Sequence, residues 1–134
     1  MADPVTLHLN IGTLSGPYQL LLELASFAYK HQLWDYREDA SKPEGWAQTL
    51  LTPHEVVGAQ PVSLPLGAQG SQAALVGHIF VWGVAAVSGD TQDKTVDVHV
   101  HIIGNAGASR ASAKGSVTIK KGANQFFVSL EVRP

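Results

Sequence analysis

The sequence contains no cysteine, and this absence removes several kinds of chemistry at once. Disulfide bonds, thiolate catalysis and cysteine-ligated zinc or iron–sulfur centres all require a Cys side chain. Charge is also scarce, since charged residues make up only 15% of the 134 residues. Nine Lys and Arg stand against eleven Asp and Glu, which gives a net charge of −2. Such a balance creates no basic field for a polyanion, so we expect no nucleic-acid partner.

Long hydrophobic runs are missing as well. The most apolar stretch, residues 73–87, is interrupted by Gly77, His78 and Gly83. A membrane-spanning helix needs about 20 consecutive apolar residues, so we expect no transmembrane helix. The first residues lack the basic and apolar regions of a secretory signal. The sequence therefore predicts a cytoplasmic protein, or one released without a conventional signal peptide.

What the sequence does contain is an ample supply of apolar residues, at 45% of the total. This fraction, with so little charge, is typical of an ordered globular core and not of a disordered chain. The length is that of one domain, which we place over residues 1–134.

Two segments alternate between apolar and polar residues as half-buried β-strands do. In residues 5–11 every second side chain is aliphatic, and in residues 96–103 the same pattern recurs. The second segment would place Asp97, His99 and His101 on one face and aliphatic side chains on the other. Both segments are predicted strands with one face in the core.

The remaining segments complete a mostly β plan. Residues 73–87 are nearly all apolar, with β-branched residues and glycines that disfavour a helix, which predicts a central strand covered on both faces. Residues 116–120 and 126–132 flank the turn-forming residues 121–124, which predicts a β-hairpin. Residues 38–70 hold four prolines and are predicted to form one long irregular loop with at most short edge strands.

These elements predict an antiparallel β-sandwich of about six to eight strands with one long irregular loop. The uncertain segment is residues 18–31, whose leucines and alanines also fit helical spacing. The alternative fold is therefore an α+β domain with one helix near residues 18–31.

Clustered aromatic side chains supply one functional hypothesis. Trp34, Asp35 and Tyr36 are adjacent, and Trp46 follows in the proline-rich segment. Sugar rings stack on Trp or Tyr, and an Asp carboxylate accepts hydrogen bonds from their hydroxyl groups. These four residues are our candidate ligand-binding set, with burial in the core as the competing interpretation for both tryptophans. Trp82 lies in the most apolar segment, and we expect it in the core.

Alternating histidines supply a second hypothesis. His99 and His101 are two residues apart on a strand, which puts their Cβ atoms about 7 Å apart, close enough for both rings to bind one metal ion. Asp97 adds an oxygen donor on that face, and His8 on the first strand would add a third nitrogen. Such a set suits a divalent transition metal, which could activate water. The competing interpretation is that these residues form the solvent-exposed face of an amphipathic strand.

Catalytic motifs are missing from the sequence. It has no Gly-x-Ser-x-Gly elbow and no phosphate-binding P-loop. Its composition allows a Ser–His–acid triad, since it has six histidines and eleven acids. Nothing in the order of the residues, however, selects one serine as a nucleophile.

Three classes of function follow. We expect a non-catalytic, lectin-like binding or assembly module without a cofactor, which recognises a glycan, a lipid headgroup or a protein and forms a homo-oligomer. The first alternative is a metal-binding protein or metal-dependent enzyme that uses Asp97, His99 and His101. The second is a small membrane-acting β protein of the pore-forming kind, with two strands drawn from residues 73–103. The fold class does not choose among the three, because one fold hosts many functions.

Overall fold

The computed structural model describes residues 4–12, 14, 16–25, 28–52, 54–64, 75–104 and 107–134. These residues form ten strands and contain no α-helix, and the strands make up two sheets. The strands are β1 (Val5–Asn10), β2 (Gln19–Leu24), β3 (Ala28–Glu38), β4 (Trp46–Leu50), β5 (Val56–Val57), β6 (Val62–Ser63), β7 (Ile79–Ser88), β8 (Lys94–Gly104), β9 (Ser109–Ile119) and β10 (Gly122–Arg133).

Sheet A has the order β1-β10-β7-β3-β4, with β5 also paired to β3, and sheet B has the order β6-β2-β8-β9. Every pair is antiparallel except β1 with β10, which is parallel with Val5 opposite Val128. The two sheets are open and pack face to face, as in a β-sandwich. The predicted fold class is confirmed, and the helical alternative for residues 18–31 is wrong, because β2 and β3 are strands.

The core lies between the sheets and is built by alternation along each strand. Alternate residues of β1, β7, β8 and β10 are buried, and their neighbours face outward. Trp82 is completely buried, as the sequence predicts, and Phe80 beside it on the same face is too. The strands therefore need only one apolar face each to form the sandwich.

Strand β7 corrects the prediction that residues 73–87 are covered on both faces. The strand begins only at Ile79, residues 75–77 form a turn, and residues 73 and 74 lie outside the described residues. One face of β7 packs in the core, whereas the other is the outer surface of sheet A, where Val87 is 65% exposed. Strand β7 is therefore an apolar strand with a solvent-facing side.

The predicted hairpin of residues 116–120 and 126–132 is also wrong. Strand β9 pairs with β8 in sheet B, whereas β10 pairs with β1 and β7 in sheet A. The chain crosses between the sheets after Ile119, and the Asn124 side chain holds the crossing by bonding to the backbone nitrogen of Lys120 at 3.0 Å and its oxygen at 2.8 Å. Turn-forming residues thus mark a change of sheet and not a hairpin.

The proline-rich segment 38–70 matches its prediction within the described part of the chain. It contributes β4 at the edge of sheet A and the two-residue strands β5 and β6. Residues 65–70 of the predicted loop lie outside the described residues. No helix in the described part of the chain is long and apolar enough to cross a membrane.

Candidate functional site

Three of the four predicted ligand-binding residues lie on the outer face of sheet A. Leu33 of β3 points into the core, so the alternation of the strand turns Trp34 and Tyr36 outward. Trp46 of β4 pairs with Glu38 of β3 and lies on the same side of the sheet. With one aromatic residue of β10 they make up a surface that we call the aromatic face: Trp34, Tyr36, Trp46 and Phe127.

Asp35 does not join this face. As the neighbour of Trp34 it points to the opposite side of β3, where its Oδ1 lies 2.8 Å from Nδ1 of His78. The Asp35 and His78 side chains are only 13% and 14% exposed, and the His78 ring stacks on Phe80. Asp35 is therefore engaged in a shielded pair away from the three outward aromatics.

Gly83 of β7 shapes the centre of the aromatic face. A Cβ atom on Gly83 would lie 3.1 Å from Cζ3 of Trp34 and 3.6 Å from Cε1 of Phe127. The indole and the phenyl ring therefore come together over a backbone that has no side chain of its own. This arrangement leaves a cleft of about 200 Å³, the central cleft, with both rings in its wall.

Polar side chains surround the central cleft. Gln32 and Gln125 lie beside it on the strands that flank β7. Lys30 and Glu55 complete the rim, with Nζ and Oε1 3.7 Å apart and both side chains about half exposed, at 54% and 51%. The two charges offset each other, so the rim presents amides and one balanced ion pair around two aromatic rings.

Two further clefts adjoin the central one on the same surface. One of about 330 Å³ shares Lys30 and Ala85 with it and is otherwise lined mainly by apolar groups such as Val57 and Val87. The other, of about 350 Å³, is lined by Tyr36 and Trp46 and by residues of β7. The predicted aromatic residues are thus distributed over neighbouring clefts and do not converge on one.

The predicted metal-binding residues of β8 lie on the outer face of sheet B. Asp97, His99 and His101 point outward, while Val98 and Val100 between them are fully buried. The two imidazole rings stack with centroids 6.2 Å apart and planes at 13°. Asp97 Oδ2 lies 3.5 Å from Lys114 Nζ on β9. These side chains therefore belong to a polar surface that crosses several strands.

His101 stands at the centre of that surface. Strand register places Ser112 directly opposite it on β9 and Glu23 one step away on β2, opposite His99. His101 Nδ1 is 2.5 Å from Ser112 Oγ, and Nε2 is 3.1 Å from Glu23 Oε1. Burial lowers the pKa of His101 below its ordinary value; the Glu23 carboxylate opposes this shift, and Arg110 and His99 act in the same direction as burial. The neutral imidazole is thus favoured.

His8 is not part of this group. It lies on β1 in sheet A, where its Nδ1 is 3.3 Å from Glu131 Oε2. Within the ranges that the structure describes, no three His, Asp or Glu side chains are arranged to hold a metal ion. The structure therefore keeps Asp97, His99 and His101 on one face and His8 on the other sheet.

Sequence reasoning missed the polar rim of the central cleft and four further residues of these two surfaces, which are Gly83, Phe127, Glu23 and Ser112. Gly83 carried a signal, because a glycine inside an apolar strand often marks close approach by another group. Phe127 follows Phe126, so alternation requires one of the two rings to face outward. Glu23 and Ser112 carried no signal, because their contacts with His101 depend on the register of three strands.

Comparison of this chain with protein-family models, with curated proteins and with solved structures found no match. The geometry of the two outer faces is therefore the basis of the functional argument. The aromatic face combines clefts, outward-facing rings and hydrogen-bonding groups, whereas the outer face of sheet B combines a histidine with an acid and a serine.

Proposed function

We propose that this protein is a carbohydrate-binding module whose central cleft stacks a sugar ring against Trp34. The observation that supports it is the pairing of Trp34 and Phe127 over Gly83. Phe127 is 47% exposed and the Trp34 ring beside it is partly buried, so the pair leaves apolar area on the sheet surface that a ligand can cover. A binding module needs such a preformed surface and no catalytic group.

A sugar ring suits these walls because it has two kinds of surface. Its C–H groups form apolar faces that pack on an aromatic ring, and its hydroxyl groups project from the edge. Ligand sites commonly combine apolar walls with a few polar groups that fix orientation. Gln32 and Gln125 supply amide donors and acceptors at the rim of the central cleft.

The charges of the rim favour a neutral ligand. Lys30 and Glu55 neutralise each other at 3.7 Å, so an anionic sugar would gain an attraction to one and meet repulsion from the other. Hydroxyl groups, in contrast, can donate to the carboxylate and accept from the ammonium group. We therefore assign neutral hexose units as the ligand class.

The adjoining clefts favour a chain of sugars over a single unit. The central cleft, at about 200 Å³, is smaller than the 300–1,000 Å³ typical of sites for drug-sized ligands, and it suits one ring. The apolar cleft shares Lys30 and Ala85 with it, and the cleft of Tyr36 and Trp46 lies beside Trp34 along β3. An oligosaccharide that follows β7 would contact all three.

Calorimetric titration with a panel of neutral oligosaccharides tests this proposal. We expect Trp34→Ala to weaken binding at least about tenfold, because removing a stacked aromatic anchor typically costs more than 1.4 kcal/mol. The matched control is Leu50→Ala, since Leu50 pairs with Trp34 on β4, is 47% exposed and lines none of the three clefts. Equal weakening in both variants, or no binding to any member of the panel, would contradict the proposal.

A second pair of variants isolates the role of the glycine. Gly83→Ala places a methyl group 3.1 Å from the Trp34 ring and should weaken oligosaccharide binding by tilting it. Gly89→Ala is the control, because a Cβ there would meet nothing within 4 Å. Native mass spectrometry separates the rival occupant of this face, a second copy of the chain. A dimer that Trp34→Ala dissociates would make the face a subunit interface and overturn the proposal.

A further inference from the structure

The contacts of His101 on the outer face of sheet B fix where its proton lies. Glu23 Oε1 lies 3.1 Å from Nε2, and because an ionised carboxylate can only accept, it favours the tautomer that carries the hydrogen on Nε2. In the neutral ring Nδ1 is then an acceptor, and the Ser112 hydroxyl donates to it across 2.5 Å. The hydroxyl proton of Ser112 therefore points at Nδ1 of His101, and the Glu23 carboxylate orients that imidazole ring.

This order of groups is the arrangement that activates a serine. A weak hydroxyl nucleophile needs an adjacent base within hydrogen-bond reach, and the base needs a third group that holds its tautomer. Here the three groups come from neighbouring strands: Glu23 from β2, His101 from β8 and Ser112 from β9. From this geometry we propose that Ser112 is a nucleophile for acyl transfer from carboxylic esters, with His101 as its general base and Glu23 as the positioning residue.

The surroundings of Ser112 suit that chemistry. Its side chain is exposed on β9, an edge strand of sheet B, so an ester can approach it from solvent. Burial favours the neutral form of His101, which can accept a proton near pH 7. Arg110 lies two residues from Ser112 on the same outward side of β9, and its positive charge would favour the oxyanion that develops on the attacked carbonyl.

The reaction balances without a cofactor. Ser112 Oγ forms a bond to the carbonyl carbon as its proton passes to His101 Nδ1, and the bond from that carbon to the alcohol oxygen breaks. The proton then passes from Nδ1 to the departing alcohol, leaving an acyl ester on Ser112. Water repeats the sequence and releases the carboxylic acid, which regenerates the free serine.

Acylation by p-nitrophenyl acetate, with the modified residue located by peptide mass spectrometry, tests the proposal. We expect one acetyl group on Ser112, and about a 100-fold slower acylation in His101→Gln, since general-base catalysis contributes at least that factor. Glu23→Gln should slow the reaction less while leaving Ser112 the modified residue. Circular dichroism of each variant shows that it is folded.

A matched control distinguishes activation from simple exposure. Ser116→Ala removes an exposed serine of the same strand and face, opposite Asp97, and should leave the rate unchanged. Acetylation of Ser112 and Ser116 at equal rates, or a rate that His101→Gln does not change, would overturn the proposal. Either result leaves the carbohydrate proposal untouched, because that rests on sheet A.

Discussion

The outer faces of the two sheets differ sharply although the same alternation builds both. The exposed large hydrophobic residues of the described chain all lie on the outer side of sheet A: Leu50, Val57, Val87 and Phe127. The corresponding side of sheet B carries histidines, serines, an aspartate and basic residues on β8 and β9. Folding requires only that each strand bury one face. Folding therefore does not set the composition of the other face, and that composition differs between the two sheets.

The largest expected effect comes from comparing the two sides of β7. Trp82→Ala should lower the free energy of unfolding by about 3–5 kcal/mol, because it removes a completely buried indole from the core. Val81→Ala on the outer side should cost no more than about 1 kcal/mol, because that side chain is already partly in water. Urea denaturation measures both. If the two variants lost similar free energies of unfolding, the outer side of β7 would contribute to stability as much as its core side does.

A smaller effect is expected where β1 of sheet A meets β9 of sheet B. A Cβ on Gly115 would lie 2.8 Å from Cδ2 of Leu7 and 2.9 Å from Cγ1 of Val5. Gly115→Ala should therefore destabilise the fold by about 1–3 kcal/mol through overpacking. Gly89→Ala has open space around it and serves as the control in thermal denaturation. If both variants have the same melting temperature, the two sheets are not in tight contact at this edge.

One buried or partly buried histidine in each sheet, His31 in sheet A and His101 in sheet B, should make the protein less stable as the pH falls. Burial lowers the pKa of His31 inside sheet A, although its Nε2 lies 3.2 Å from the Gly58 carbonyl oxygen. The unfolded chain then takes up the proton first as the pH falls below about 6.5, so the free energy of unfolding should fall with it. His101 has a shift of the same sign. His31→Gln should flatten the decline between pH 7 and 5 in part, as urea denaturation would show. If the curves of stability against pH were parallel for the unaltered protein and His31→Gln, His31 would not be a cause of the decline.

The smallest effect is expected for the ion pair of Asp97 and Lys114 on sheet B. Both side chains are more than half exposed, with a 3.5 Å separation, and such surface pairs contribute about 0–1 kcal/mol. Lys114→Gln should therefore change the melting temperature very little, and 1 M salt should remove what difference there is. A larger loss that salt does not reduce would show that this face contributes to stability as the core does.

Much of the fold could be predicted from the sequence, because alternation reports which side of a strand is buried. The same rule separates Trp34 from Asp35, since adjacent strand residues point to opposite sides. The hairpin prediction failed because turn-forming residues indicate that the chain changes direction, but they do not indicate which sheet the next strand joins. The contact of His101 with Ser112 could not be predicted, because it depends on a pairing register that local sequence does not set.

The parallel pairing of β1 with β10 joins two strands that are synthesised at different times during translation. Val5 and Val128 are neighbours in space, yet eight of the described strands, β2 to β9, lie between β1 and β10 along the chain. During synthesis β1 therefore leaves the ribosome before its pairing partner β10 has been made. Such long-range pairing slows folding and prolongs the exposure of apolar segments that can aggregate. We therefore expect the apolar side of β1 to stay unpaired until β10 has been synthesised.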